Sequence, residues 1–113
     1  MSSGNSVLNV VERAMDINWF RQQLIANNLA NVDTPQYKRQ DIDFQKTLAN
    51  ALSGDGQPVF IDSSNTSSAE NGNNVDLESE LTQQAMNVLQ YNALARIESD
   101  QLGMLRTAIT EGK

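Results

Sequence analysis

Neither cysteine nor histidine occurs among the 113 residues, which removes disulfides, thiol nucleophiles, Cys/His zinc sites and Ser-His-Asp triads in one step. Any catalysis is left to carboxylates, lysine or tyrosine. Positive charge is scarce as well: eight Lys and Arg against fourteen Asp and Glu give a net charge of −6. No diffuse positive field is available to attract nucleic acid or anionic lipid. Aromatic residues make up 5% and there are two prolines, with 39% of the chain hydrophobic, so a compact single core is affordable but not guaranteed. No apolar run is long enough for a membrane span or a signal-peptide core, and Met1 to Ser6 carries no Lys or Arg, so physical chemistry alone expects a cytoplasmic chain. The Asn65-Thr66-Ser67 triplet is then a chance match to a glycosylation acceptor. The expected partners include no nucleic acid and no lipid-bilayer insertion, and no cofactor is implied.

What the sequence does contain is helical periodicity at both ends. From about Ser6 to Asn31 apolar residues recur at Val7, Val10, Val11, Ala14, Ile17, Leu24, Ile25 and Leu29, a helix of roughly 25 residues and about 38 Å. Its apolar arc covers about half the circumference, which calls for more than one neighbour. Thr34 precedes Pro35 and is pushed away from helical geometry, so the helix stops near Asn31 and a turn follows through Thr34-Pro35-Gln36-Tyr37. Asp43 is placed to cap a short amphipathic helix carrying Phe44, Leu48 and Leu52, ended by Gly54. Between Ser53 and Asn74 only Pro58-Val59-Phe60-Ile61 interrupts a Ser, Asn, Gly and Asp composition. That tetrapeptide suggests one short strand, and Asp62 to Asn74 reads as a mobile loop open to proteolysis.

From Asp76 to about Glu111 the helical pattern returns over about 52 Å, with Asp76, Glu78 and Glu80 suited to the positive end of the helix dipole. One register repeats every seven residues through Leu81, Val88, Ala95, Leu102 and Ile109; a partner register has Leu77, Tyr91 and Leu105, interrupted by Gln84 and Glu98. A second stripe of Met86, Leu89, Ala93, Ile97, Met104 and Ala108 lies on another side. One partner helix cannot cover both, and a compact chain of this size has a radius of gyration of only about 13 Å. The pattern therefore predicts burial by other chains. The division is into an N-terminal helix and turn (1–35), a connecting segment with a short helix and Ser/Asn/Gly-rich loop (36–75), and a C-terminal long helix (76–113). The fold class expected is all-α, with two long terminal helices forming an α-helical hairpin or coiled coil.

Chemistry-bearing constellations are few. Asp41 with Asp43, and Asp76 with Glu78 and Glu80, fit no calcium loop, and caps and a helix dipole account for them. Trp19, Phe20 and Tyr37 are expected in helix packing rather than in a stacking platform. Arg21 lies inside the apolar arc, and its readings are a snorkelling side chain or an ion pair to another chain. No catalytic, cofactor-binding or metal-binding residue is assigned.

Two segments carry a resemblance. Asn27-Asn28-Leu29-Ala30-Asn31-Val32-Asp33-Thr34-Pro35-Gln36-Tyr37-Lys38 with Asp41-Ile42-Asp43-Phe44 resembles the signature of the bacterial flagellar rod proteins. The run from Asn73 to Glu80, then Gln90-Tyr91-Asn92-Ala93-Leu94 and Leu105-Arg106-Thr107-Ala108-Ile109, is similar to the B-type proximal rod subunits within that group. The resemblance spans roughly residues 7 to 52 and 72 to 111. It implies a non-enzymatic structural subunit that assembles helically with copies of itself and other flagellar rod proteins. It also implies contact with the MS-ring/rod junction protein, passage through the flagellar type III export apparatus without a cleaved signal peptide, and a place in the periplasmic rod of the basal body, which overrides the cytoplasmic expectation. It puts Asn28, Ala30, Asn31, Thr34, Pro35 and Tyr37 in the family's turn after the first helix.

The assembly interface is expected at Val7, Val11, Ala14, Ile17, Leu81, Val88, Ala95, Leu102 and Ile109. Where the family has glycine after Thr-Pro, this chain has Gln36. That implies either a type I turn or a modest strain cost, and the unstrained type I turn is the expectation. A soluble coiled-coil adaptor, a secretion chaperone or another axial protein of the flagellum would share the long striped helices.

Overall fold

Helices α1 (Ser3–Ala30), α2 (Phe44–Leu52) and α3 (Leu77–Glu111) follow one another in a computed structural model that describes residues 3–63 and 69–112. The boundaries have local causes. Asp43 accepts the Lys46 N–H at 2.9 Å at the start of α2, and Asp76 accepts the Ser79 N–H at 3.2 Å at the start of α3, each satisfying one of the amides a helix start leaves free. Just past α2, Gly54 turns left-handed with φ +101°, as the sequence pattern anticipates. The two long helices pack antiparallel: Asn28 meets Glu80, Arg21 meets Gln83 and Asn18 meets Asn87. The all-α hairpin holds, and its 18.0 Å radius of gyration exceeds the roughly 13 Å of a compact chain of similar length.

The wide apolar arc of α1 does find two neighbours. Ile17 and Leu24 form a cluster with Ile42, against which Phe20, Phe44, Leu48 and Ala51 pack, so α2 and its leading strand-like segment cover one side. Phe60 meets Phe20 edge-on at 6.1 Å with planes 78° apart. The segment from Pro58 to Ile61 forms no strand. It makes one antiparallel bridge, Ile42 with Phe60, through Asp43 N–H to Val59 C=O at 2.8 Å and Ile61 N–H to Asp41 C=O at 2.9 Å. Two residues of pairing are all that a Pro-led, half-exposed tetrapeptide sustains against an equally short partner.

The other side of α1, through Leu8, Val11, Ala14, Asn18, Ile25 and Asn28, is buried at a spacing of three to four residues against α3. On α3 the shielded positions are largely polar, including Glu80, Gln84, Asn87, Glu98 and Gln101, with Leu94 among them. The interrupted register is split, with Gln84, Glu98 and Leu105 shielded and Leu77 and Tyr91 exposed, and the register that faces α1 is that of Glu80, Asn87, Leu94 and Gln101. The uninterrupted one does not: Leu81, Val88, Leu102 and Ile109 are each about half exposed or more, and Ala95 is partly shielded.

Three expectations are corrected. Trp19 is not packed between helices; it is 59% exposed. The described part of the loop is not loose: Gly72 N–H bonds to Ala69 C=O at 2.9 Å, Gln36 N–H to Asn71 C=O at 2.9 Å, and Asn73 and Asn74 are buried. The remainder of the expected mobile segment, 64–68, lies outside the described residues. Finally, Gln36 has φ +67° and Tyr37 N–H bonds to Thr34 C=O at 3.3 Å, which is the positive third-position φ of a type II turn, not type I.

The turn's strain is testable. A left-handed conformation costs a non-glycine residue about 1–2 kcal/mol, part of which glycine returns through its freer unfolded chain, about 0.4–1 kcal/mol. Gln36→Gly is therefore expected to raise the melting temperature by a few degrees, with thermal circular dichroism as the measurement. A lower melting temperature would mean that the glutamine side chain, held against the left-handed Gly72, contributes more than its backbone costs.

Candidate functional site

The buried polar centre of the molecule lies where α1 ends. Asn28 has no exposed surface, and its side-chain amide works as a piece of backbone. Its Nδ2 donates to Gln40 C=O at 2.9 Å while its Oδ1 accepts Gln40 N–H at 2.9 Å, so the side chain pairs with the connecting segment as a strand would. The same Oδ1 accepts the Tyr37 hydroxyl at 3.2 Å, and Nδ2 also reaches Glu80 Oε1 at 3.3 Å. The end of α1, the connecting segment and α3 are thus tied together by one side chain. Asn31 closes the helix end, donating from Nδ2 to Asn27 C=O at 2.8 Å and accepting the Thr34 hydroxyl at 3.0 Å. Pro35 and Ala30 are exposed and shape the backbone only.

Beside Asn28 sit two acids and two guanidinium groups. Arg21 grips Asp41 with both prongs, Nε to Oδ1 at 2.8 Å and Nη2 to Oδ2 at 3.0 Å, the bidentate geometry in which arginine is strongest. Arg39 bridges the acids, reaching Glu80 Oε1 at 2.6 Å and Asp41 Oδ2 at 3.3 Å. Arg21 thus neither snorkels nor waits for another chain; its acid is twenty residues on in its own. Burial alone would push the Asp41 carboxyl up, but the hydrogen bond and attraction of Arg21, the Ile42 N–H and the nearby Arg39 overcome it, leaving Asp41 below its ordinary value. The bond to Asp41 raises Arg21 in turn, and burial, with Glu80 adding, pushes the Tyr37 hydroxyl up.

A carboxylate depressed in the folded state contributes stability above its unfolded pKa and loses it as pH falls through the folded one. For Asp41 the loss begins near the ordinary value of 3.8 and continues below it. Urea unfolding midpoints are expected to drop steeply as pH is lowered from about 4 toward 2. Asp41→Asn, less stable at neutral pH, is expected to show a shallower acid dependence. An unchanged slope would remove Asp41 as a source of the acid sensitivity.

Further amides extend the centre both ways. Asn73 Nδ2 donates to Asn31 C=O and Thr34 C=O, both at 2.7 Å, and Asn74 accepts the Arg39 N–H at 2.6 Å. The end of the loop thereby clamps the turn. Along the seam Asn18 and Asn87 exchange side-chain to backbone bonds, at 3.2 Å to Asn87 C=O and 3.0 Å to Asn18 C=O. Such a pair fixes the register of two helices, because a slip leaves both amides buried and unpaired.

The resemblance put Asn28, Ala30, Asn31, Thr34, Pro35 and Tyr37 in the turn after α1, of which Asn28 and Tyr37 join this centre; sequence reading missed Arg39, Asp41, Asn73, Asn74 and Glu80 as members. One signal was there to be used: Glu80, Asn87 and Leu94 share a seven-residue register, and a polar residue in a register that ends apolar is often buried with a partner. Of the expected interface residues, Val11, Ala14 and Ile17 are buried inside the chain, whereas Val7, Leu81, Val88, Leu102 and Ile109 are exposed.

The family model for the flagella basal body rod protein covers residues 8–38, most of α1 with the turn that follows it. The flagellar basal body rod protein FlgB of Bacillus subtilis (strain 168) is 33% identical across the whole of both chains. The chain belongs to the FlgB-type flagellar basal body rod proteins. The FlgB of Escherichia coli (strain K12) is 25% identical over 96% of each chain, and that of Aquifex aeolicus (strain VF5) 27% identical over 90% of this chain and 91% of its own. The polar centre ties α1, the connecting segment and α3 together. Each of its acids is engaged by a guanidinium, and among the described residues no group of three His, Cys, Asp or Glu side chains is placed to hold a metal ion. Among the same residues no helix is long and apolar enough to cross a membrane.

Proposed function

We propose that this chain is a non-enzymatic structural subunit of the proximal rod of the flagellar basal body. It packs helically with copies of itself and with other rod proteins into the shaft that transmits torque. The observation that carries this reading is the inversion on α3: its largely polar face, through Glu80 and Asn87, is used on α1, and its clean apolar register, through Leu81, Val88, Leu102 and Ile109, is left on the outside. Exposed apolar surface of that extent is what a subunit covers with other chains. The same reading has the chain meeting the MS-ring/rod junction protein and lying in the periplasmic part of the basal body.

It also has the chain delivered through the flagellar type III export apparatus without a cleaved signal peptide. A small aliphatic core, with much of the seam polar, supports delivery in unfolded form, since little burial must be undone before threading. Deleting the gene is expected to abolish swimming, and restoring it to return peptides of this chain to purified basal bodies by mass spectrometry. A chain that restores swimming while absent from basal bodies and present as a small closed oligomer would instead be an adaptor or chaperone.

A further inference from the structure

Along one flank of the hairpin, between α1 and α3, runs a groove of two joined depressions. One, about 300 Å³, is lined by Asn18, Trp19, Gln22, Val88 and Tyr91 and is mainly apolar. The next, about 310 Å³, shares Trp19 and Tyr91 with it and is walled by Glu12, Asp16 and Glu98. No Lys or Arg lines either depression, and among the described residues no ion pair engages those three acids. The groove is thus apolar at one end, aromatic in the middle and negative at the other.

The chain carries a segment with the opposite character. With Asn18 opposite Asn87, α3 passes the start of α1 at about residue 102, so its last turns have no α1 beside them. Arg106 is the one cation of residues 103–112, with Leu102 one turn before it and Ile109 three residues after. The three share a helix face, and Leu102 is about half exposed and Ile109 more so.

We propose that the groove is the seat of the projecting α3 end of a second copy, with Arg106 among Glu12, Asp16 and Glu98 and its flanking apolar side chains against Trp19, Val88 and Tyr91. The proposal deepens the rod-subunit reading and rests on it for the partner's identity. Charge complementarity sets the orientation, and an arginine over a tryptophan adds a cation–π contact. The contact is heterologous: the tip of one copy meets the flank of the next, which repeats without closing into a dimer and so suits a helical shaft.

The full chain supplies its own probe, because Trp19 is the sole tryptophan. With rising concentration its emission is expected to shift to the blue as sedimentation reports self-association. Arg106→Glu is expected to raise the concentration needed at least tenfold. Mixing it with the Glu12→Arg, Asp16→Arg chain, which retains its own Arg106, is expected to restore association between the two. Helicity by circular dichroism checks that the variants fold.

The absence of cysteine allows a second measurement: a chain bearing Met15→Cys and Thr107→Cys is expected to form a ladder of disulfide-linked multimers, and each single variant none beyond a dimer. A wild-type chain that stays monomeric, an Arg106→Glu chain that associates as wild type, a charge reversal without rescue, or a double-cysteine chain without a ladder overturns the proposal. The rod-subunit reading fails separately, if the chain is absent from basal bodies whatever it does in solution.

Discussion

Replacing Glu80 with alanine is expected to cost about 3–5 kcal/mol of folding stability, the range for removing one partner of a buried ion pair. A small domain has only about 5–15 kcal/mol to lose. Glu80 is fully buried and takes hydrogen bonds from Arg39 at 2.6 Å and Asn28 at 3.3 Å. Without it, two guanidinium groups share the single carboxylate of Asp41, Arg39 at 3.3 Å and Arg21 at 2.8 Å. The connecting segment then loses its charged link to α3, while the Asn28 pairing with Gln40 remains.

Glu80→Gln is expected to fall between the two. It keeps an acceptor for Arg39 but loses the charge, and it aims a donor where Glu80 Oε2 has no partner among the described residues. Urea unfolding measures all three chains. A melting temperature for Glu80→Ala within about 2 °C of the native one would show that the polar centre contributes little beyond packing.

Leu102→Asp is expected to do the reverse: leave the isolated chain as it is and remove it from the rod. Leu102 is 47% exposed in the single chain, so helicity and melting should scarcely change. In an assembly that covers the outer register the lost leucine forfeits about 1.5–3 kcal/mol. The buried, unpaired carboxylate adds several kcal/mol more, and every copy repeats the defect. The export in unfolded form proposed above makes no use of the contact, so on that reading the secreted amount is expected to hold. Motility, the exported fraction and the content of purified basal bodies measure the outcome together. Normal incorporation with normal swimming would place Leu102 at the solvent in the rod as well, and the outer register would lose its assigned role.

The contrast between these two substitutions marks where reading the sequence succeeded and where it did not. Helix lengths, caps and the turn at Pro35 were legible because they depend on neighbours in the chain: Asp43 and Asp76 cap the amides three residues on, and Gly54 adopts the positive φ that ends α2. Gln36 was misjudged because the conformation of a turn also depends on what holds it from outside. Here that is Asn71, which accepts the Gln36 N–H, and Asn73, which clamps Thr34. Glu80 was read as a helix-dipole acid because its position in the first turn explained it well enough, and nothing nearby in sequence points to Arg39, forty-one residues away.

By itself the sequence determined the all-α character, the three helices and the presence of more apolar helical surface than one chain covers. These follow from periodicity and local propensity, which act over a few residues. Only the tertiary structure decided which face of α3 turns inward. A helix with several partly apolar sides is ambiguous until its partner is placed. Here the choice falls to buried hydrogen bonds, Asn18 with Asn87 and Arg39 with Glu80, whose groups must be paired wherever they are buried. Because those pairs claim the polar register for α1, the apolar one is left outside.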